Sequence, residues 1–109
     1  RFRPSLLLVS AGFDAHWRDP LAHMHVSLTG FARMMRVLCE LSDALCGGRM
    51  VVVLEGGYDL QALSYGVLNA LRIMQGNLAD VEDPLGPCPA EDAPVEDLIA
   101  TFAALNGLR

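Results

Sequence analysis

Two short apolar runs stand out along the chain, Leu6–Val9 and Met50–Leu54. Neither alternates with polar residues, so each predicts a strand buried on both faces, as in a parallel sheet covered by helices. The strands are placed at about residues 6–10 and 50–54. Between them Phe31, Met34, Met35, Leu38, Leu41, Ser42 and Leu45 recur at helical spacing. They predict a helix over about 28–45, with Ser27 as N-cap, Thr29 as the runner-up, and Gly47-Gly48 at its end. Leu60, Leu63, Val67, Leu68, Leu71 and Met74 predict a second helix over about 60–75 that stops at Gly76.

Strand, helix, strand, helix is a βαβ unit with a further helix, a connection that is almost always right-handed and makes the two strands parallel. Their carboxyl ends then share one edge of the sheet, where ligands bind in open α/β folds. The first strand ends in Ser10-Ala11-Gly12 and delivers Asp14; the second ends before Gly56-Gly57 and delivers Tyr58. Residues 13–26 lack a period and hold Asp14, His16, Trp17, Asp19, His23 and His25, which reads as a functional loop. Residues 77–94, with Pro84, Pro87, Pro89 and Pro94, read as a surface connection. A last helix over 94–106 places Val95, Leu98, Ile99, Phe102 and Leu105 on one side and is expected to pack back on the sheet.

Composition narrows the class. The chain has 109 residues, 52% hydrophobic and 19% charged, which fits one small α/β domain and no disordered tail. No apolar run approaches the roughly 18 residues of a membrane span. A net charge of -5 with eight scattered basic residues argues against direct nucleic-acid binding. Cys39, Cys46 and Cys88 form no C-x-x-C pair and read as reduced thiols in a reducing, cytoplasmic setting. The chain opens Arg1-Phe2-Arg3-Pro4, without an initiator Met or a signal peptide, and is expected to be the end of something longer. It carries neither a phosphate-binding loop nor a G-x-G-x-x-G motif. Ala62-Leu63-Ser64-Tyr65-Gly66 lacks the first glycine of a nucleophile elbow.

Four candidates remain for chemistry. Asp14 is either a metal ligand or a loop or cap hydrogen-bond acceptor. His16 is either its partner ligand or a loop histidine bonded to backbone. His23-x-His25 offers a two-ligand arm on an extended segment, though without an acidic or Cys partner at recognisable spacing. Tyr58, after two glycines, is either an ordinary aromatic at a helix start or a phenol that donates to a carbonyl and then to the oxyanion formed from it.

The two motifs LLLVSAGFDAHWRDPLAHM and CGGRMVVVLEGGYDLQAL together resemble the C-terminal third of the histone deacetylase superfamily. The resemblance is nearest to the bacterial and class II-like amidohydrolases, which include acetylpolyamine and acetoin-utilisation proteins, and covers about Phe2 to Gly76. It implies a three-layer, parallel-sheet fragment of the arginase/deacetylase fold and zinc-dependent hydrolysis of an N-acetyl amide. Asp14 matches the family's second zinc-binding aspartate, and Tyr58 the tyrosine that polarises the substrate carbonyl. Leu21 matches a residue lining the acyl-lysine tunnel, and Gly56 and Gly57 the glycines flanking the pocket. His16 has no assigned role.

The family's D-x-H ligand pair and tandem histidines have no counterpart here. The resemblance therefore implies that residues 1–109 are the C-terminal part of a single catalytic domain. The remaining zinc ligands are expected in a missing N-terminal portion, and the isolated chain is expected to be inactive and to self-associate. The implied substrates are an acetylated protein, a polyamine or a small molecule. The rival reading is a noncatalytic α/β interaction module derived from the same fold.

Overall fold

The computed structural model describes residues 2–77 and 79–108. Its elements run β1 (Leu7–Ala11), α1 (Leu28–Cys46), β2 (Met50–Leu54), α2 (Leu60–Met74) and α3 (Glu96–Leu105). β1 and β2 pair in parallel, from Leu7 opposite Met50 to Ala11 opposite Leu54. This is an α/β arrangement, a parallel sheet with flanking helices. None of the described helices is long and apolar enough to cross a membrane.

Local chemistry explains the boundaries. Ser27 Oγ accepts the Gly30 amide at 3.1 Å, which satisfies one of the free N–H groups opening α1. The same helix closes on Gly47 in the left-handed conformation. Asp59 Oδ1 accepts the Ala62 amide at 2.8 Å and caps α2.

The core lies between the helices and one face of the sheet. Phe13, Ala32, Met35, Ala70 and Ile73 are buried together, with Met50, Val52, Leu63 and Val67 packed around them. Along α2 the buried stripe is Ala62, Gly66, Asn69, Ala70 and Ile73. The larger Leu60, Leu68, Leu71 and Met74, expected to face inward, are exposed. Small side chains occupy the inner face because the Phe13 ring rests directly on Gly66.

Two expectations are corrected. Cover on both faces of the strands is met on one face only, since Leu8 is 67% exposed and Val51 and Val53 lie beside it in the open. The helices both pack on the face of Met50 and Val52, which leaves the alternate residues without a facing layer among the described residues. α3 does not pack back on the sheet. It has no buried residue, and Ile99 and Phe102 are both more than half exposed.

The segment before α3 is tied down in its first half. Asn69, 1% exposed, donates to the Glu82 carbonyl at 2.8 Å and accepts the Glu82 amide at 3.0 Å. Asp83 Oδ2 accepts from both the amide and the hydroxyl of Thr29 at 2.9 Å, adding a carboxylate at the start of α1.

Candidate functional site

Parallel pairing brings the loop after β1 and the loop after β2 to one edge. The ladder continues beyond the strands: Glu55 donates to the Ala11 carbonyl at 2.9 Å, and Phe13 to the Gly56 carbonyl at 2.8 Å. The first loop is closed at its neck, where Trp17 donates to the Val26 carbonyl at 3.0 Å and Val26 to that of Ala15 at 3.1 Å. Trp17 also reaches out, its Nε1 donating to the Gly86 carbonyl at 2.9 Å.

Asp14 is half-buried, with its carboxylate against the backbone of Gly12 and Gly56. A Cβ on Gly12 would stand 2.6 Å from Asp14 Oδ1, and one on Gly56 would stand 3.1 Å from it. The close approach of one carboxylate to two strand ends thus leaves no room for a Cβ at Gly12 and little at Gly56. Gly57 has φ 144°, a conformation that an L side chain rarely adopts, and it leads directly into Tyr58. The Tyr58 side chain is exposed at the rim.

A third residue joins the two loops. Asp19, 5% exposed, accepts the Leu21 amide on Oδ1 at 2.9 Å and the Tyr58 amide on Oδ2 at 2.8 Å. Burial acts to raise its pKa, but the amides of Tyr58, Leu21, Ala22 and Asp59 together hold it below the ordinary carboxylate value. Arg18 reinforces the join from outside, with Nε 3.3 Å from Asp59 Oδ2 and Nη1 donating to Gln61 Oε1 at 3.1 Å.

The structure therefore gathers Asp14, Leu21, Gly56, Gly57 and Tyr58 at one edge, through Gly56 and Asp19. His16 is fully buried, and its Nδ1 accepts the Arg18 amide at 3.1 Å, the backbone-bonded histidine of the loop. Burial lowers its pKa against the pull of the Asp59 and Asp83 carboxylates, so the ring is neutral at pH 7. With Nδ1 accepting, the proton sits on Nε2, which has no hydrogen-bond partner among the described residues. His25 lies 3.5 Å from Asp92, and His23 is exposed with φ 51°.

The expected zinc ion is corrected. Among the described residues no group of three or more His, Cys, Asp or Glu side chains converges to hold a metal. A catalytic zinc takes three protein ligands, and Asp14 is a single carboxylate whose histidine neighbour is engaged elsewhere. The cysteines are free thiols, and burial pushes that of Cys39 up, away from reactivity.

Two residues of this edge, Asp59 and the loop residue Asp19, were given no role from the sequence. Asp59 carried a legible signal, an Asp directly before an apolar helical run. Asp19 carried none, because its partner Tyr58 lies 39 positions away.

With this geometry in view, the model of the histone deacetylase domain matches residues 1–74. The chain belongs to the histone deacetylase family. It is 42% identical over 76 residues to histone deacetylase 14, chloroplastic, of Arabidopsis thaliana, covering 70% of this chain and 18% of that protein. It is 39% identical over 85 residues to the histone deacetylase-like amidohydrolase of Pseudomonas aeruginosa, covering 78% and 22%. Polyamine deacetylase HDAC10 of Homo sapiens is 40% identical over 88 residues, covering 80% and 13%. Among solved structures, the HDA15 HD domain superposes with a TM-score of 0.62 at 39% identity, over 70% of this chain and 20% of that one. The chain thus spans about a fifth of the length of such histone deacetylase relatives.

Proposed function

We propose that this chain is the tyrosine-bearing, C-terminal portion of a deacetylase catalytic domain that hydrolyses N-acetyl amides, of the bacterial or class II-like kind. The observation that carries the reading is the placement of Tyr58 on the Gly56-Gly57 turn, at the same sheet edge as Asp14. Water adds to the acetyl carbonyl, the C–N bond breaks, and acetate and a free amine leave. Tyr58 donates its hydroxyl to the carbonyl oxygen and holds it more tightly as it becomes an oxyanion, so the donor acts where negative charge grows. Leu21, exposed on the loop after β1, offers an apolar wall to the methylene chain that carries the acetyl group. Asp14 holds a half-buried carboxylate beside Gly56. The groups that activate water lie outside these residues, and the isolated chain is inactive.

Names among the relatives support two substrate classes, an acetylated histone and an acetylated polyamine. The test is acetate release by the protein from the full open reading frame that contains this chain, assayed on an acetyl-lysine peptide and on an acetylated polyamine. Turnover of either supports the reading. A folded protein that releases acetate from neither contradicts it and leaves the noncatalytic module.

A further inference from the structure

Tyr58 is held by its backbone. The residue is 57% exposed, so little lateral packing fixes the ring. The two glycines before it give the approach no stiffness of their own. The position of the hydroxyl is therefore set by what grips the Tyr58 main chain, and the grip is a carboxylate from the other loop, Asp19 Oδ2 at 2.8 Å from the Tyr58 nitrogen. Its second oxygen holds the Leu21 amide at 2.9 Å. Among the described residues Asp19 pairs with no cation, since the neighbouring Arg18 turns to Asp59. A buried carboxylate bound to amides alone offers two fixed acceptors, and each bond is of the strong, charge-assisted kind.

We propose that Asp19 is a positioning residue: one buried carboxylate that fixes the catalytic phenol of Tyr58 and the tunnel wall at Leu21 relative to each other. The inference rests on the reading of Tyr58 as oxyanion donor and adds a residue to it. Asp19 does not touch substrate; it acts through the Tyr58 backbone. Asp19→Asn makes the distinction, because an amide keeps one acceptor oxygen but turns an N–H₂ donor toward the other backbone N–H. The phenol then loses its register, and a misplacement of about 1 Å lowers rate by up to about a hundredfold.

The test is a double-mutant cycle in the protein from the full open reading frame, with kcat and KM measured for Asp19→Asn, Tyr58→Phe and the pair, and thermal melting as the fold check. The expected result is a fall in kcat of about tenfold to a hundredfold for Asp19→Asn, with KM moving less than kcat. In the Tyr58→Phe background the same change then lowers kcat by no more than about twofold, because the hydroxyl it positions is gone. Should Asp19→Asn fail to fold, Asp19→Glu, which keeps both acceptor oxygens one methylene further out, is read in the same cycle. Equal losses in both backgrounds, on top of a large Tyr58→Phe effect, overturn the role of Asp19 and leave the deacetylase reading standing. No loss for Tyr58→Phe alone overturns both.

Discussion

The Asp14 carboxylate rests on the main chain of Gly56, so closely that a Cβ at position 56 would stand 3.1 Å from both its Cγ and its Oδ1. An acid from the first loop and a glycine from the second thus share one space. Gly56→Ala is predicted to push Asp14 aside. Deacetylation by the full protein falls by about tenfold or more, as expected when a side chain of the site is displaced by up to about 1 Å. Melting changes little, since the contact lies in the loops beyond the strand ends and not in the core. Steady-state kinetics with a thermal melt checks both, and unchanged kcat contradicts the placement.

Acid works against this edge in two steps. The His16 pKa is lowered from 6.5 in the folded state, so the unfolded chain takes up that proton first, and stability declines as pH falls through 6.5 toward the lowered value. The Asp19 pKa is lowered from 3.8, so its contribution is complete above that value and is lost as pH falls through the lower, folded value. Urea midpoints across pH 2 to 8 for the wild type, His16→Gln and Asp19→Asn check this. The His16 variant loses the upper decline, and the Asp19 variant loses the lower one.

Asn69 holds the strap over residues 80–86. It bonds both backbone polar groups of Glu82 from inside the protein, and Asn69→Ala takes away these partners. The predicted destabilisation is about 1–3 kcal/mol by denaturant titration, in line with orphaned polar groups. Amide exchange at 80–86 rises with it, and Trp17 fluorescence shifts because Trp17 is bonded to Gly86 in the same strap. A change in stability without faster exchange there contradicts this account.

The open sheet face predicts association. Leu8, Val51 and Val53 are exposed on one side of a two-stranded sheet, and Met34, Leu41 and Leu45 are exposed along α1. Contiguous apolar surface and free strand edges seek partners. The isolated 109-residue chain is predicted to self-associate, with light-scattering mass rising with concentration. A clean monomer contradicts this.

Much of the frame was legible in the sequence. The apolar runs gave both strands to within a residue, and Ser27 and Gly47 marked the ends of α1 because caps act locally. Asp14 and Tyr58 were placed on a common edge by topology alone, and the parallel register bears this out. What periodicity could not show was which apolar stripe faces inward. In α2 the inner face is set by Phe13 resting on Gly66, a contact made across 53 positions, and so the small residues are buried and the leucines are not. The same blindness hid Asp19, whose local neighbours give no hint of an amide far along the chain, and left α3 assigned to a surface it does not touch. Zinc was carried in by resemblance, and the described side chains do not assemble a site for it.

Tyr58→Phe tests the central claim most directly, since it removes one oxygen and leaves the ring. In the protein from the full open reading frame, acetate release is predicted to fall by about a hundredfold or more, with substrate affinity and melting temperature nearly unchanged. Wild-type turnover in that variant would contradict the account.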